Sequence, residues 1–293
     1  SVFVSYIFAV QFWRDLNKLP AHSIAHSWFK AAVFFNALSS VGVMGLAYIM
    51  VTKNNHPAVY LGSIYFYLHF QYNGWFFFAC MGLLSALLIE HGVAGASLKN
   101  VYRLFTVACL PAYLLSVLWL PLPNWIYALM VVAVFLQIGG WLLLLGLISP
   151  FLTRIRNSTP PIAQKLLLLS GIAASIKLLL QAGSVIPSLS KLAFGFRPIV
   201  IGYLHLVLLG IITLFITGYV IAQNYISVSK LMVRGLAIFV LGILFNELLL
   251  MTQGIADIGY HVITNINGLL LLAAMLLFTG IALFNYGMQK STK

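Results

Sequence analysis

Charge is what this chain has least of. Of 293 residues only 7% are charged, where a soluble domain carries about 25%. Hydrophobic residues make up 62% and the mean hydropathy is +1.03. No soluble fold can hide that much apolar surface, so soluble classes are excluded. Cysteine is nearly absent as well: the 2 cysteines, Cys80 and Cys109, each sit inside an apolar run. That excludes a disulfide framework and a cysteine-based metal site. Loops long enough to fold alone are missing too, since the longest connections reach about a dozen residues. Any chemistry must therefore happen among the membrane helices or at their rims.

What is there is a series of apolar runs, each near the roughly 20 residues that a crossing needs. They fall near 28–52, 60–88, 101–120, 124–148, 164–186, 198–223, 231–252 and 265–287. Turn residues punctuate them: Asn54-Asn55-His56-Pro57, Pro121-Leu122-Pro123-Asn124, Asn157-Ser158-Thr159-Pro160-Pro161 and Pro187-Ser188. The stretch from Ser1 to Trp13 is apolar but too short to cross, and it lacks the charged start of a signal peptide. It reads as the tail of a further helix. The expectation is an all-α polytopic transmembrane bundle, 1–293 forming a single helical domain, with eight full spans and a partial leading one. On that reading the chain is a fragment of a larger protein.

The net charge of +12 would suggest nucleic acid in a soluble chain; here its distribution reports topology instead. Alternate connections hold Arg14, Lys18 and Lys30, then Lys99 and Arg103, then Arg154, Arg156 and Lys165, then Lys230 and Arg234, then Lys290 and Lys293. The opposite side holds only Lys53, Lys191 and Arg197, and Lys177 lies within a span. This bias predicts a cytoplasmic C-terminus. The implied setting is a lipid bilayer, with no nucleic-acid partner.

Intramembrane polar residues are the place to look for function, because each is costly unless paired or facing a cavity. Tyr67-Leu68-His69-Phe70-Gln71-Tyr72-Asn73-Gly74 and Tyr203-Leu204-His205-Leu206-Val207-Leu208-Leu209-Gly210 share the pattern Tyr-Leu-His-x4-Gly, each inside an apolar run. At about 1.5 Å per residue, His69 lies roughly 14 Å and His205 roughly 11 Å into helices of the same direction. Two readings are open. Both imidazoles could ligate a metal cofactor, haem first, either one shared iron or separate centres. Alternatively each could bond across helices as a structural node. Tyr67, Tyr203, Gln71 and Asn73 flank the histidines and are candidates to line the same site. Gly74 and Gly210 are read as points of close helix contact.

Lys177 and Glu247 come to similar depth by the same arithmetic and form a candidate buried ion pair, read first as a neutralised pair fixing helix register and, functionally, as a proton step or a propionate-binding lysine. His22 and His26 are four apart, which suits a metal on a helix, but no third ligand is near. His56 and His261 fall in connections and His91 at a helix end.

The stretches Phe35-Asn36-Ala37-Leu38-Ser39-Ser40-Val41-Gly42, Tyr65 to Phe76 and Tyr203-Leu204-His205-Leu206 resemble a group of bacterial inner-membrane proteins related to haem-copper oxidase subunit I and to NnrS-type haem-copper proteins. That resemblance implies a fold of about a dozen spans, histidine ligands for haem, copper as a second metal, and an oxidoreductase-like role with an electron donor or other membrane subunits as partners. The chain carries no His-x-His and no His-His pair, so its own residues do not complete an oxygen-reducing centre. No catalytic residue is assigned. A transporter whose polar line includes Gln71, Asn73, Lys177, Gln181, Asn246 and Glu247, or a structural subunit of a larger complex, are the competing classes.

Overall fold

The computed structural model describes residues 2–19, 23–53 and 56–291, and the backbone alone at 191–194, 290 and 291. It is all-α over the described residues. Eight helices are long and apolar enough to cross a membrane: Ile24–Thr52, Pro57–Glu90, Gly95–Val117, Asn124–Ser158, Pro161–Ser184, Arg197–Ala222, Lys230–Ile258 and Ile266–Gln289. They are called the first to eighth spans below. Each overlaps one of the apolar runs, which fixes the chain as a multi-pass membrane protein. A leading helix, Val2–Lys18, extends further than the apolar stretch ending at Trp13. Its polar end carries an exposed Lys18–Asp15 pair and is tied to the first span by Lys30, which donates to Asn17 Oδ1.

Local chemistry sets the ends. Pro57, Pro161 and Pro198 stand in the first turn of their helices, where the missing N–H costs nothing and the fixed φ suits a start. Ser23 and Ser229 cap the first and seventh spans through their side-chain oxygens. The second span stops at Gly92, whose φ of 99° suits glycine alone. Pro111 lies inside the third span, which then tightens into a 3₁₀ turn at Tyr113–Val117.

By packing, the chain divides into two compact units that part between Ile155 and Arg156. Each holds four spans, and within each the first packs on the second, the second on the third and the third on the fourth. The first unit is filled by rings: Trp28, Phe35, Phe70 and Phe78 are buried, with Trp28 against Phe78, Tyr102 and Phe105. The second is filled by aliphatic side chains, Leu166, Leu214, Ile221, Leu236 and Ile243 among them. Its seventh and eighth spans touch backbone to backbone: a Cβ on Gly235 would fall 2.5 Å from the Phe284 nitrogen. Without water between helices, such small-residue contacts supply the attraction.

Candidate functional site

Both histidines of the repeated pattern stand at the same structural event. Immediately after His69 the second span opens into a π-helical turn, Phe70–Phe76, and immediately after His205 the sixth does the same over Leu206–Thr213. The N–H of Phe77 reaches back to the Tyr72 carbonyl, and that of Leu214 to Leu209, five residues in each case. π turns are rare and gather at functional positions. The glycine of each pattern lies inside the turn and faces the first span of its own unit. A Cβ on Gly74 would come 2.6 Å from Phe35 Cβ, and one on Gly210 3.3 Å from Ala173 Cβ. The glycines are contact points, as their sequence setting implies. The histidine in each case faces the third span of its unit.

In the first unit the imidazole is sealed. His69 is 1% exposed, with rings of Phe70 and Tyr113 against it. Its Nε2 lies 2.9 Å from the Cys109 carbonyl oxygen and its Nδ1 3.2 Å from the Asn73 amide. A carbonyl only accepts, so Nε2 carries the proton and Nδ1 takes the amide hydrogen. Both nitrogens are engaged, and no lone pair is left for a metal. The Cys109 carbonyl is available at the point where the Tyr113 N–H turns to Leu110 instead, at the start of the 3₁₀ turn. Around this node Gln71 donates to Asn36 Oδ1 (3.1 Å) and Ser39 Oγ (2.6 Å), and Ser39 donates to the Asn36 carbonyl. Tyr67 packs over Gly42 on the first span and is partly exposed.

The second unit builds the corresponding position differently. His205 is partly exposed, and its Nδ1 lies 2.8 Å from the Asn246 amide on the seventh span. Its Nε2 meets no hydrogen-bond partner among the described residues. Asn246 holds the ring from one side, and the tautomer is set only by which way that amide is turned. Beside it, Glu247 Oε2 lies near Gly202, while Glu247 Oε1 is buried with no hydrogen-bond partner. Gln181 Oε1 on the fifth span is buried in the same condition. Lys177 is buried one turn before it. Among the described residues no ion pair joins Lys177 to Glu247; Glu247 turns to Gly202 and Asn246 instead. Tyr203 is half-buried on the sixth span.

The structure thus places His69 with Asn73 and sets Gln71 one step away, and it gathers His205, Asn246 and Glu247. The two histidines belong to separate units. His22 lies outside the described residues, and His26 Nδ1 is buried without a partner. Among the described residues no three His, Cys, Asp or Glu side chains gather as a metal-binding group. Two partners escape a reading by sequence: the Cys109 main-chain oxygen, which has no residue signature, and Asn246 as the residue holding His205, 41 positions away. A comparison with known protein families and with curated proteins finds no match for the chain.

Proposed function

We propose that the chain is a haem-binding integral membrane protein of the bacterial inner membrane, with its C-terminus cytoplasmic and a redox, electron-transfer or oxygen- and nitric-oxide-related role. The observation that carries this reading is the state of His205: one ring nitrogen is fixed by Asn246 at 2.8 Å, and the other has no partner among the described residues. Metal-ligating histidines are held in this way, with the second nitrogen oriented by a hydrogen bond. With its amide turned over, Asn246 Oδ1 accepts from Nδ1–H and leaves the Nε2 lone pair outward.

The residues differ in how they suit the group. His205 would hold the iron through Nε2, Asn246 would orient its ring, and Lys177 would supply a counter-charge for a propionate. His69 does not fit as it stands, because a metal would have to displace the Cys109 carbonyl from Nε2. Haem would supply one-electron transfer or gas binding; the chain's own part is to hold the ring nitrogen in one tautomer and to keep bulk water away. Copper, which the resemblance also implies, would draw on further ligands.

The test is the absorption spectrum and extractable haem of the purified protein. The wild type should show a haem band that His205→Ala abolishes or shifts, while His69→Leu retains it. A colourless wild type, or a band indifferent to His205→Ala, overturns the reading. Colourless protein favours the transporter class, whose polar residues Lys177, Gln181, Asn246 and Glu247 lie in the second unit and Gln71 and Asn73 in the first.

A further inference from the structure

The antiparallel register of the fifth and sixth spans brings a set of oxygens to one level. Gly210 meets Ala173 and Gly218 meets Leu166. Continuing that register, Gln181 comes level with Gly202. From the other side Gly202 meets Leu250 and Glu247 Oε2, the latter at 3.8 Å from where its Cβ would be. On the seventh span Glu247 therefore stands at the level of Gly202, and the continued register sets Gln181 at that same level on the fifth. Glu247 Oε1 and Gln181 Oε1 are both buried and neither has a hydrogen-bond donor; Gln181 as a whole is only 6% exposed.

Two acceptors without donors are a specific deficit. An ionised carboxylate with a bare oxygen in an apolar interior is strongly disfavoured. A proton on the carboxyl turns one acceptor into a donor, and a water molecule, which can donate twice, satisfies the other. The titratable groups on the packed elements do not remove the need. Lys177 on the fifth span is not ion-paired to Glu247, His205 on the sixth bonds Asn246, Tyr203 lies one residue past Gly202, and the facing stretch of the eighth span, Leu269 to Leu277, carries no titratable residue.

We propose that Glu247 is a proton-binding site of the membrane interior, holding a proton at neutral pH and joined through bound water to Gln181. The site stands whether or not a cofactor is present. Its occupant is a proton together with water, and its equilibrium is a simple gain or loss of H⁺ at the carboxyl.

Infrared spectroscopy can read this directly, because the chain has only 4 acidic residues: Asp15, Glu90, Glu247 and Asp257. The purified protein in lipid should show a protonated-carboxyl C=O band at neutral pH that shifts in D₂O. The band should vanish in Glu247→Gln and persist in Asp15→Asn, Glu90→Gln and Asp257→Asn, singly and combined. The combined variant leaves Glu247 as the sole acidic side chain, so the question is answered even if Glu247→Gln does not fold. Gln181→Leu should slow the D₂O shift of the order of tenfold, the rate equivalent of one lost hydrogen bond. Absence of the band at neutral pH, or its survival in Glu247→Gln, overturns the proposal; a band that never shifts in D₂O overturns the hydrated link.

Discussion

The two units repeat one plan and fill it with different chemistry. In each, the second of four spans carries a histidine, a π turn follows at once, a glycine in that turn presses on the first span, and the histidine faces the third. The first unit surrounds its histidine with aromatic rings, hydroxyls and amides and bonds both its nitrogens, and its own unpartnered atoms, Thr106 Oγ1 and Gln137 Oε1 among them, stand away from the imidazole. The second leaves Nε2 of its histidine, an amide oxygen and a carboxyl oxygen without partners, and places Lys177 and Glu247 in the same layer. Closure is a stable outcome in hydrocarbon, where every unsatisfied polar group is costly. The function proposed above therefore draws on the layer around His205, and the bonding of His69 is read as structural.

The largest difference between the units should come from their glycines. Gly74→Leu drives a side chain into Phe35, whose Cβ stands 2.6 Å from where a Cβ would be placed, whereas Gly210 has 3.3 Å to Ala173. Overpacking should cost about 3 kcal/mol at Gly74 and about 1 kcal/mol at Gly210. All 6 tryptophans fall at or before Trp141, inside the first unit. Tryptophan fluorescence on heating therefore follows the first unit, and circular dichroism follows both. Gly74→Leu should lower the fluorescence midpoint; equal shifts from the two substitutions would dissolve the distinction.

A smaller contrast separates stability from function at the histidines. His69→Leu strands the Cys109 carbonyl and the Asn73 amide in a site that is 1% exposed, and should cost about 3 kcal/mol. His205→Leu loses one bond at a partly exposed position and should cost about 1 kcal/mol. Under the proposed haem reading, the absorption band should respond in the opposite order. Thermal midpoints paired with spectra of both variants check this, and a spectrum that follows His69 would reverse the roles given to the two layers.

Much of this architecture is legible in the residues. Apolar length placed all eight spans because hydrocarbon thickness leaves little choice of element. The doubled Tyr-Leu-His-x4-Gly marked both histidines and both contact glycines, since each glycine sits where only a missing side chain lets helices meet. The division of labour between the copies was not legible, because it turns on main-chain atoms and on partners from other helices. The Cys109 carbonyl is released by a local 3₁₀ turn past Pro111, and nothing in the letters around His69 shows it. Equal depth brought Lys177 and Glu247 to one layer, but helix rise says nothing of rotation about the axis, and Glu247 faces Gly202 instead.

The smallest expected effects belong to the serines that tie each π turn to the first span of its unit. Ser170 Oγ donates to the Ile211 carbonyl at 2.8 Å, within the turn after His205. In the first unit Gln71 of the turn donates to Ser39 Oγ at 2.6 Å and also to Asn36 Oδ1 at 3.1 Å. Removing Ser39 leaves Gln71 a second acceptor, so Ser39→Ala should cost well under about 1 kcal/mol. The Ile211 carbonyl still accepts from the Leu214 N–H after Ser170→Ala, which limits that loss to about 1 kcal/mol. The sharper readout is local. Ser170 is the tie that holds the turn's carbonyl against the fifth span, so its loss should raise amide hydrogen exchange over Leu206–Thr213 and leave Phe70–Phe76 as protected as before, while Ser39→Ala, with its redundant partner, should raise exchange in neither. Faster exchange across Phe70–Phe76 in Ser39→Ala would show that the first layer hangs on a single hydroxyl and is less thoroughly closed than its bonding implies.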